Sequence, residues 1–140
     1  MSSFKTFSFR DCDVIFGIIE FQEFDEGSDS VSMSMAKEQW KKKVGAKGDV
    51  VRIQTNDNSA ELRVNLLQTS RTNKDLFIQY NLDKETGGGV APFVIRNRET
   101  GETYIANNAW IKQAPDVNRG NDDSTMAWVF DADSVTHLIV

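Results

Sequence analysis

The sequence predicts a mainly β protein: a β-sandwich or small β-barrel with one flanking α-helix at about residues 72–84 and a long hairpin at about residues 31–53. Two observations carry this. Several short stretches alternate apolar and polar residues with a period of two, as half-buried strands do. One stretch alone, following Leu66-Leu67, changes to a helical period and ends at Gly87-Gly88-Gly89.

Global properties suit one domain spanning 1–140. The 140 residues are 39% hydrophobic and 26% charged, enough for a single buried core. The net charge of −5 argues against a general nucleic-acid binder or an anionic membrane as main partner. A single cysteine, Cys12, excludes an intramolecular disulfide and points to a reducing compartment. The start, Met1-Ser2-Ser3-Phe4-Lys5, lacks a signal pattern and no apolar run reaches transmembrane length, so a cytoplasm is the expected place of folding.

The elements follow in order. Asp13–Ile19 is a short apolar run, a buried strand or hairpin. In Val31–Met35, Val31, Met33 and Met35 face one way and Ser32 and Ser34 the other. Val51 and Ile53 share a face in residues 50–54. Leu62, Val64 and Leu66 point inward, with Glu61, Arg63 and Asn65 outward. Asn97–Gly101 is a hairpin turn between strands at Phe93–Ile95 and Thr103–Ile105. Further strands are expected at Ala109–Gln113, Thr125–Phe130 and Val135–Ile139, the last docked in a sheet.

For the helix, Ser70 or Thr72 is the candidate N-cap, Asp75 suits the first turn, and the three glycines stop it. Leu76, Phe77 and Tyr80 cluster on one face, while Ile78 and Leu82 fall on another. A helix lying on one sheet needs one apolar stripe. The second stripe calls for a second surface, either a long loop of this chain or a neighbouring subunit.

Chemistry-bearing residues are few. His137, the only histidine, reads as a strand residue with a satisfied ring. Cys12 lies between Asp11 and Asp13, which would raise a thiol pKa, so it is no nucleophile. Asp11/Asp13 and Asp131/Asp133 each share a strand face and could bind a cation, but such pairs are also common where strands end. Asp122-Asp123 lies in a polar loop at Asn118–Ser124. Gly87–Gly89 lacks a phosphate-loop context and reads as a flexible connection. Lys41-Lys42-Lys43 is the one basic cluster, a solvated hairpin tip or a protein-contact patch. Trp110 and Trp128 sit in alternating strands and read as buried. No catalytic site, metal or cofactor is expected, and the chain does not read as an enzyme.

Four segments together resemble the tail tube proteins of contractile-tailed bacteriophages. They are Ser30–Met33 leading to Val44-Gly45-Ala46-Lys47-Gly48-Asp49-Val50-Val51-Arg52; Asn58–Ser70 with Thr72-Asn73; Ala109-Trp110-Ile111-Lys112-Gln113-Ala114-Pro115-Asp116; and Ala127-Trp128-Val129-Phe130. The resemblance runs in order over residues 9–140; Trp40-Lys41-Lys42-Lys43 is more basic than that pattern. It implies homo-hexameric rings stacked into a hollow tube that conducts DNA without specific binding, inside a sheath. Sheath, baseplate and tail-terminator proteins would be partners, with no membrane and no cofactor, in a virion assembled in the host cytoplasm.

The resemblance also implies that the hairpin, with its tip near Lys41–Lys47, reaches an adjacent ring. Candidate contacts between subunits or rings are Trp40, Lys41, Lys42, Lys43, Lys47, Ile78 and Leu82; Ser32, Ser34, Arg52, Glu61, Arg63 and Asn65 are candidates for lumen or seam. An acidic chain can build a lumen that repels DNA phosphates. The rival readings are a tube of a contractile injection or type VI secretion system, a monomeric β-sandwich binding module, and, least supported, a small enzyme.

Overall fold

The computed structural model describes residues 12–24, 30–116 and 125–138. Their strands are β1 (Cys12–Phe16), β2 (Ile19–Glu20), β3 (Val31–Met35), β4 (Trp40–Val44), β5 (Val50–Gln54), β6 (Ala60–Leu67), β7 (Ala91–Asn97), β8 (Thr103–Gln113), β9 (Thr125–Ala132) and β10 (Thr136–Leu138). The helix α1 (Thr72–Thr86) lies between β6 and β7. Asp11, Ile139 and the Asn118–Ser124 loop with Asp122-Asp123 lie outside the described residues.

All strand pairings are antiparallel, in the order β2-β1-β7-β8-β9-β6-β3. The sheet curls back on itself. Beyond β2 the chain reaches the free edge of β6, where Phe24 bridges Leu66 and Leu67 N–H donates to Glu23 O at 3.0 Å. This closure gives the interior a barrel-like core. Phe130 sits at its centre, with Phe93 at 5.0 Å and Phe16 at 5.1 Å between ring centroids, both edge-on. Leu62, Val64 and Leu66 are buried, as the alternation in β6 requires.

Three strand expectations change. Thr103–Ile105 and Ala109–Gln113 form one strand, β8, whose register shifts at Ala91/Phe93 on one side and at Ile111/Gln113 on the other. These bulges absorb Pro92 and Lys112. Next, from Thr103 to Ile111 of β8, β10 and β9 follow one register, interrupted only at 133–135: Ala132 faces Ala109 and Thr136 faces Ile105.

The long hairpin also differs. Its return leg does not end at Ile53. Val31 faces Val64 and Met35 faces Ala60, so β3 pairs with β6, not with β5. The ladder continues through Ala36 N–H to Ser59 O at 2.9 Å and Thr55 N–H to Gln39 O at 2.8 Å. It then resumes as β4–β5, from Trp40/Gln54 to Val44/Val50. The tip is Gly45–Asp49, where Gly48 takes φ 89°. Lys41–Lys43 therefore lie along a strand rather than at the tip; only Lys47 of that group is there.

The helix plugs one end of the barrel with Leu76 fully buried and Phe77 edge-on to Trp128 at 4.7 Å. Its N-cap is Arg71, with no side-chain cap, correcting Ser70 or Thr72. Ser70 Oγ nevertheless accepts the N–H of Thr72 at 3.3 Å, and both hydroxyls also bond the segment after β2. Ser70 Oγ donates to Gln22 O at 2.6 Å, and Gln22 N–H donates to Thr72 Oγ1 at 3.1 Å. The glycines after the helix are not a flexible connection. Gly87 is left-handed at φ 71°, and its N–H donates to Asp83 O at 2.8 Å. Gly89 N–H donates to Asp83 Oδ1 at 3.0 Å, and a Cβ on Gly89 would stand 2.3 Å from Asp83 Cβ.

Candidate assembly surfaces

Three surfaces carry the sequence candidates. The first is the β4–β5 ribbon, every residue of which is exposed. Cross-strand partners share a face. Trp40, Lys42, Val44, Val50, Arg52 and Gln54 thus form one face; Lys41, Lys43, Val51 and Ile53 form the other. The Arg52 guanidinium lies 3.9 Å over the Trp40 ring. Among the described residues, Lys41 and Lys43 make no ion pair. Val50 is 62% exposed on one face and Val51 55% on the other, so the ribbon holds apolar area in water on both faces. Such a two-stranded element is marginal alone.

The second surface is the outer face of the curled sheet. The registers place Ser34, Glu61, Asp131 and Trp110 in one row across β3, β6, β9 and β8. Ser32, Arg63, Val129 and Gln113 form the next, with Asn65 and Ala127 beyond. Five of the six lumen or seam candidates thus come together on one face; Arg52 does not and belongs to the ribbon.

Charges on this face are paired. Arg63 contacts Glu61 Oε1 at 2.8 Å, and Lys112 Nζ lies 3.7 Å from Glu61 and 4.0 Å from Asp131. The Arg63 hydrogen bond, then the Arg63 and Lys112 charges, hold the Glu61 carboxyl below the usual carboxylate range. Beside the root of the ribbon the face is hollowed into a groove of about 470 Å³, bounded by Met35, Ala60, Glu61, Trp110, Lys112 and Asp131 among others. Trp110, read from the sequence as buried, is only partly buried here. The signal that places it was present: Ala109 and Ile111 are core residues, so the residue between them must face out.

The third surface is the second stripe of α1. Ile78 is 58% exposed and Leu82 44%, and no described segment covers them.

The residues weighed for chemistry are accounted for locally. His137 stacks on Tyr104 at 4.3 Å, and its Nε2 lies 2.7 Å from Glu102 Oε1, to which Tyr104 Oη also donates at 2.7 Å. These bonds, from Tyr104 and then His137, hold Glu102 below the usual range; the same carboxylate pushes the Tyr104 phenol up. Asp13 pairs with Arg98 at 3.3 Å, and Asp133 Oδ2 accepts from Asn108 Nδ2 at 3.0 Å. Among the described residues no group of three or more potential ligands could hold a metal.

A family model, that of the bacteriophage PhiTE tail tube protein, matches residues 6–139. No curated protein matches. Among solved structures, the tube-terminating cap of the anti-feeding prophage aligns with a TM-score of 0.67 at 12% identity, over 100% of this chain and 95% of that one. A chain of the PVC sheath/tube terminator, from an extracellular contractile injection system in its extended state, gives 0.65 at 16%, over 98% and 99%. A chain of the PVC sheath–tube complex gives 0.62 at 17%, over 92% and 88%. At these identities the structural likeness is one of fold.

Proposed function

This chain belongs to the family of the bacteriophage PhiTE tail tube protein, and on that premise we propose that it is a virion structural protein whose homo-hexameric rings stack into the hollow tube of a contractile tail. The tube conducts DNA, is enclosed by a sheath, and meets baseplate and tail-terminator proteins at its ends. It assembles in the host cytoplasm and acts without catalysis.

The observation that carries this reading is the ribbon. A β-ladder exposed on both faces, with Trp40, Val44, Val50, Val51 and Ile53 in water, is an incomplete structure awaiting other copies. In this proposal Trp40, Lys41, Lys42, Lys43 and Lys47 contact the adjacent ring, and Ile78 and Leu82 contact a neighbour within the ring. Head-to-tail surfaces of this kind repeat without closing along an axis.

The outer sheet face turns toward the lumen and its seams. Its charge pairs modify the expectation of a repelling wall. The groove row with Glu61 and Asp131 lies at a seam, and because Glu61 holds Arg63, the part of the face that lines the lumen offers DNA phosphates no row of free cations.

Negative-stain imaging of the purified protein across concentration tests the proposal. Rings or tubes are expected at high concentration. A compact monomer at every concentration would overturn it. Replacing Lys41, Lys42 and Lys43 together by Glu should block stacking while leaving the subunit folded, and raised salt should weaken stacking in the native protein.

A further inference from the structure

The ribbon needs a receiving surface, and among the described residues the groove beside its own root complements it. Resting on the proposed stacking, the geometry points to the groove bounded by Glu61, Asp131, Trp110 and Met35 as the site that receives the β4–β5 ribbon of a second copy, through the face carrying Lys41, Lys43, Val51 and Ile53.

Three observations support the match. The first is charge. Glu61, Asp131 and Asp133 line the groove with the single ammonium of Lys112, which lies within 4.0 Å of the first two. Asp131 has its cation only at 4.0 Å and keeps about a third of its side chain exposed, so it can take a second one. The facing ribbon surface supplies Lys41 and Lys43, whereas on its opposite face Arg52 is already engaged with Trp40.

The second is apolar area. Val51 lies directly opposite Lys43, and Ile53 opposite Lys41. The groove offers the half-buried Trp110 and the 46%-exposed Met35 between its carboxylates. Each side therefore alternates an apolar element with a charge, of opposite sign on the two sides. Excluding water around such pairs strengthens them beyond exposed ion pairs.

The third is reach. From Ala36 to Gly45 the arm extends about nine residues at about 3.3 Å each, roughly 30 Å. A chain of this length has a radius of gyration of about 14 Å, which puts touching copies roughly 35–40 Å apart. The arm thus spans about one subunit spacing, and the distal ribbon of one copy arrives near the ribbon root of the next. That relation is head-to-tail and self-repeating.

Charge reversal tests it. Lys41→Glu/Lys43→Glu and, separately, Glu61→Lys/Asp131→Lys should each raise the concentration needed for tubes by about tenfold or more. Lys42→Glu lies on the other face of the ribbon, so the groove reversal should not rescue any loss of tubes that it causes. The chain carrying all four reversals should regain tubes, because an acidic ribbon then meets a basic groove. Circular dichroism checks that each variant is folded. If the groove reversal does not fold, Glu61→Gln/Asp131→Asn replaces it, with a smaller expected rise. Carbodiimide treatment of native tubes should link Lys43 to Glu61 or Asp131 of another copy, while the Lys112–Glu61 link within a chain reports that the reagent worked.

Groove variants that assemble like the native protein, or a fourfold variant that stays unassembled, would overturn the assignment. If the ribbon reversal alone blocks tubes, the ribbon docks elsewhere and the stacking function stands. If the native protein forms neither rings nor tubes, the functional reading falls and the groove assignment with it.

Discussion

Trp128 Nε1 donates to Asn73 Oδ1 at 2.9 Å, inside the protein, where both side chains are buried. The same amide donates through Nδ2 to Leu67 O at 2.8 Å. One side chain at the start of α1 thus satisfies the indole of β9 and the last carbonyl of β6, locking the helix onto the barrel.

Asn73→Ala would strand the buried Trp128 indole N–H, whereas Leu67 O keeps the Ser70 N–H at 3.0 Å. The expected loss is about 1–3 kcal/mol, the cost of one buried unsatisfied group. Urea unfolding of the unassembled subunit measures it. A loss under about 0.5 kcal/mol, typical of neutral surface changes, would show that water replaces the amide.

The two faces of α1 should separate fold from assembly. Leu76→Ala removes a fully buried side chain and should cost about 2–5 kcal/mol in subunit stability. Ile78→Ser with Leu82→Ser should shift subunit stability by only about 1 kcal/mol or less while abolishing ring formation, read by size-exclusion chromatography. Normal rings from the double variant would remove these residues from the contact list.

The Glu102–Tyr104–His137 cluster ties β10 to β8 and gives stability a pH window. The folded Glu102 pKa is depressed, so its contribution is present above the unfolded carboxylate pKa and is lost as pH falls through the folded one. The folded Tyr104 pKa is raised, so its contribution is present below the unfolded phenol pKa and is lost as pH rises through the folded one. Hydrogen exchange at Thr136–Leu138 should therefore quicken, beyond its intrinsic pH dependence, at both the acidic and alkaline extremes. Glu102→Gln should remove the acid limb, and an unchanged acid limb in that variant would locate the titration elsewhere.

The glycines after α1 should not be equivalent. Gly89→Ala forces a Cβ against Asp83, whereas Gly88→Ala meets only the Thr86 hydroxyl at 3.2 Å. Thermal unfolding should show Gly89→Ala the more damaging. Equal midpoints would mean that the Asp83 side chain moves aside without penalty.

Much of this was legible from local pattern. The alternation of Glu61–Leu66 assigned both faces of β6, and the spacing of Leu76, Phe77 and Tyr80 found the packed side of α1. Trp110 was misread because an aromatic residue suggests burial more strongly than its neighbours suggest exposure, yet strand alternation decides the matter. The partner of β3 was out of reach of a local pattern. Val31 could have faced Ile53 or Val64, and the choice depends on the break at 36–39 and 55–59, where polar residues carry no register. The gathering of Ser34, Glu61, Asp131 and Trp110 into one row depends on three pairings between distant segments, which no single stretch encodes. The exclusion of a Cβ at Gly89 depends on where Asp83 stands six residues back.

Met35 and Ala60 face each other, and beyond them Ala36 and Ser59 are joined by a 2.9 Å hydrogen bond. The chain could turn back there in a few residues and leave the core and helix as they are. The arm is thus a detachable module, inserted at a point where the two flanking strands already hold each other. Its sequence is free to diverge with the partner it meets while the barrel is held constant by its own packing. An armless version of this chain is the natural starting scaffold for grafting a different arm, and so for redirecting which rings stack upon which.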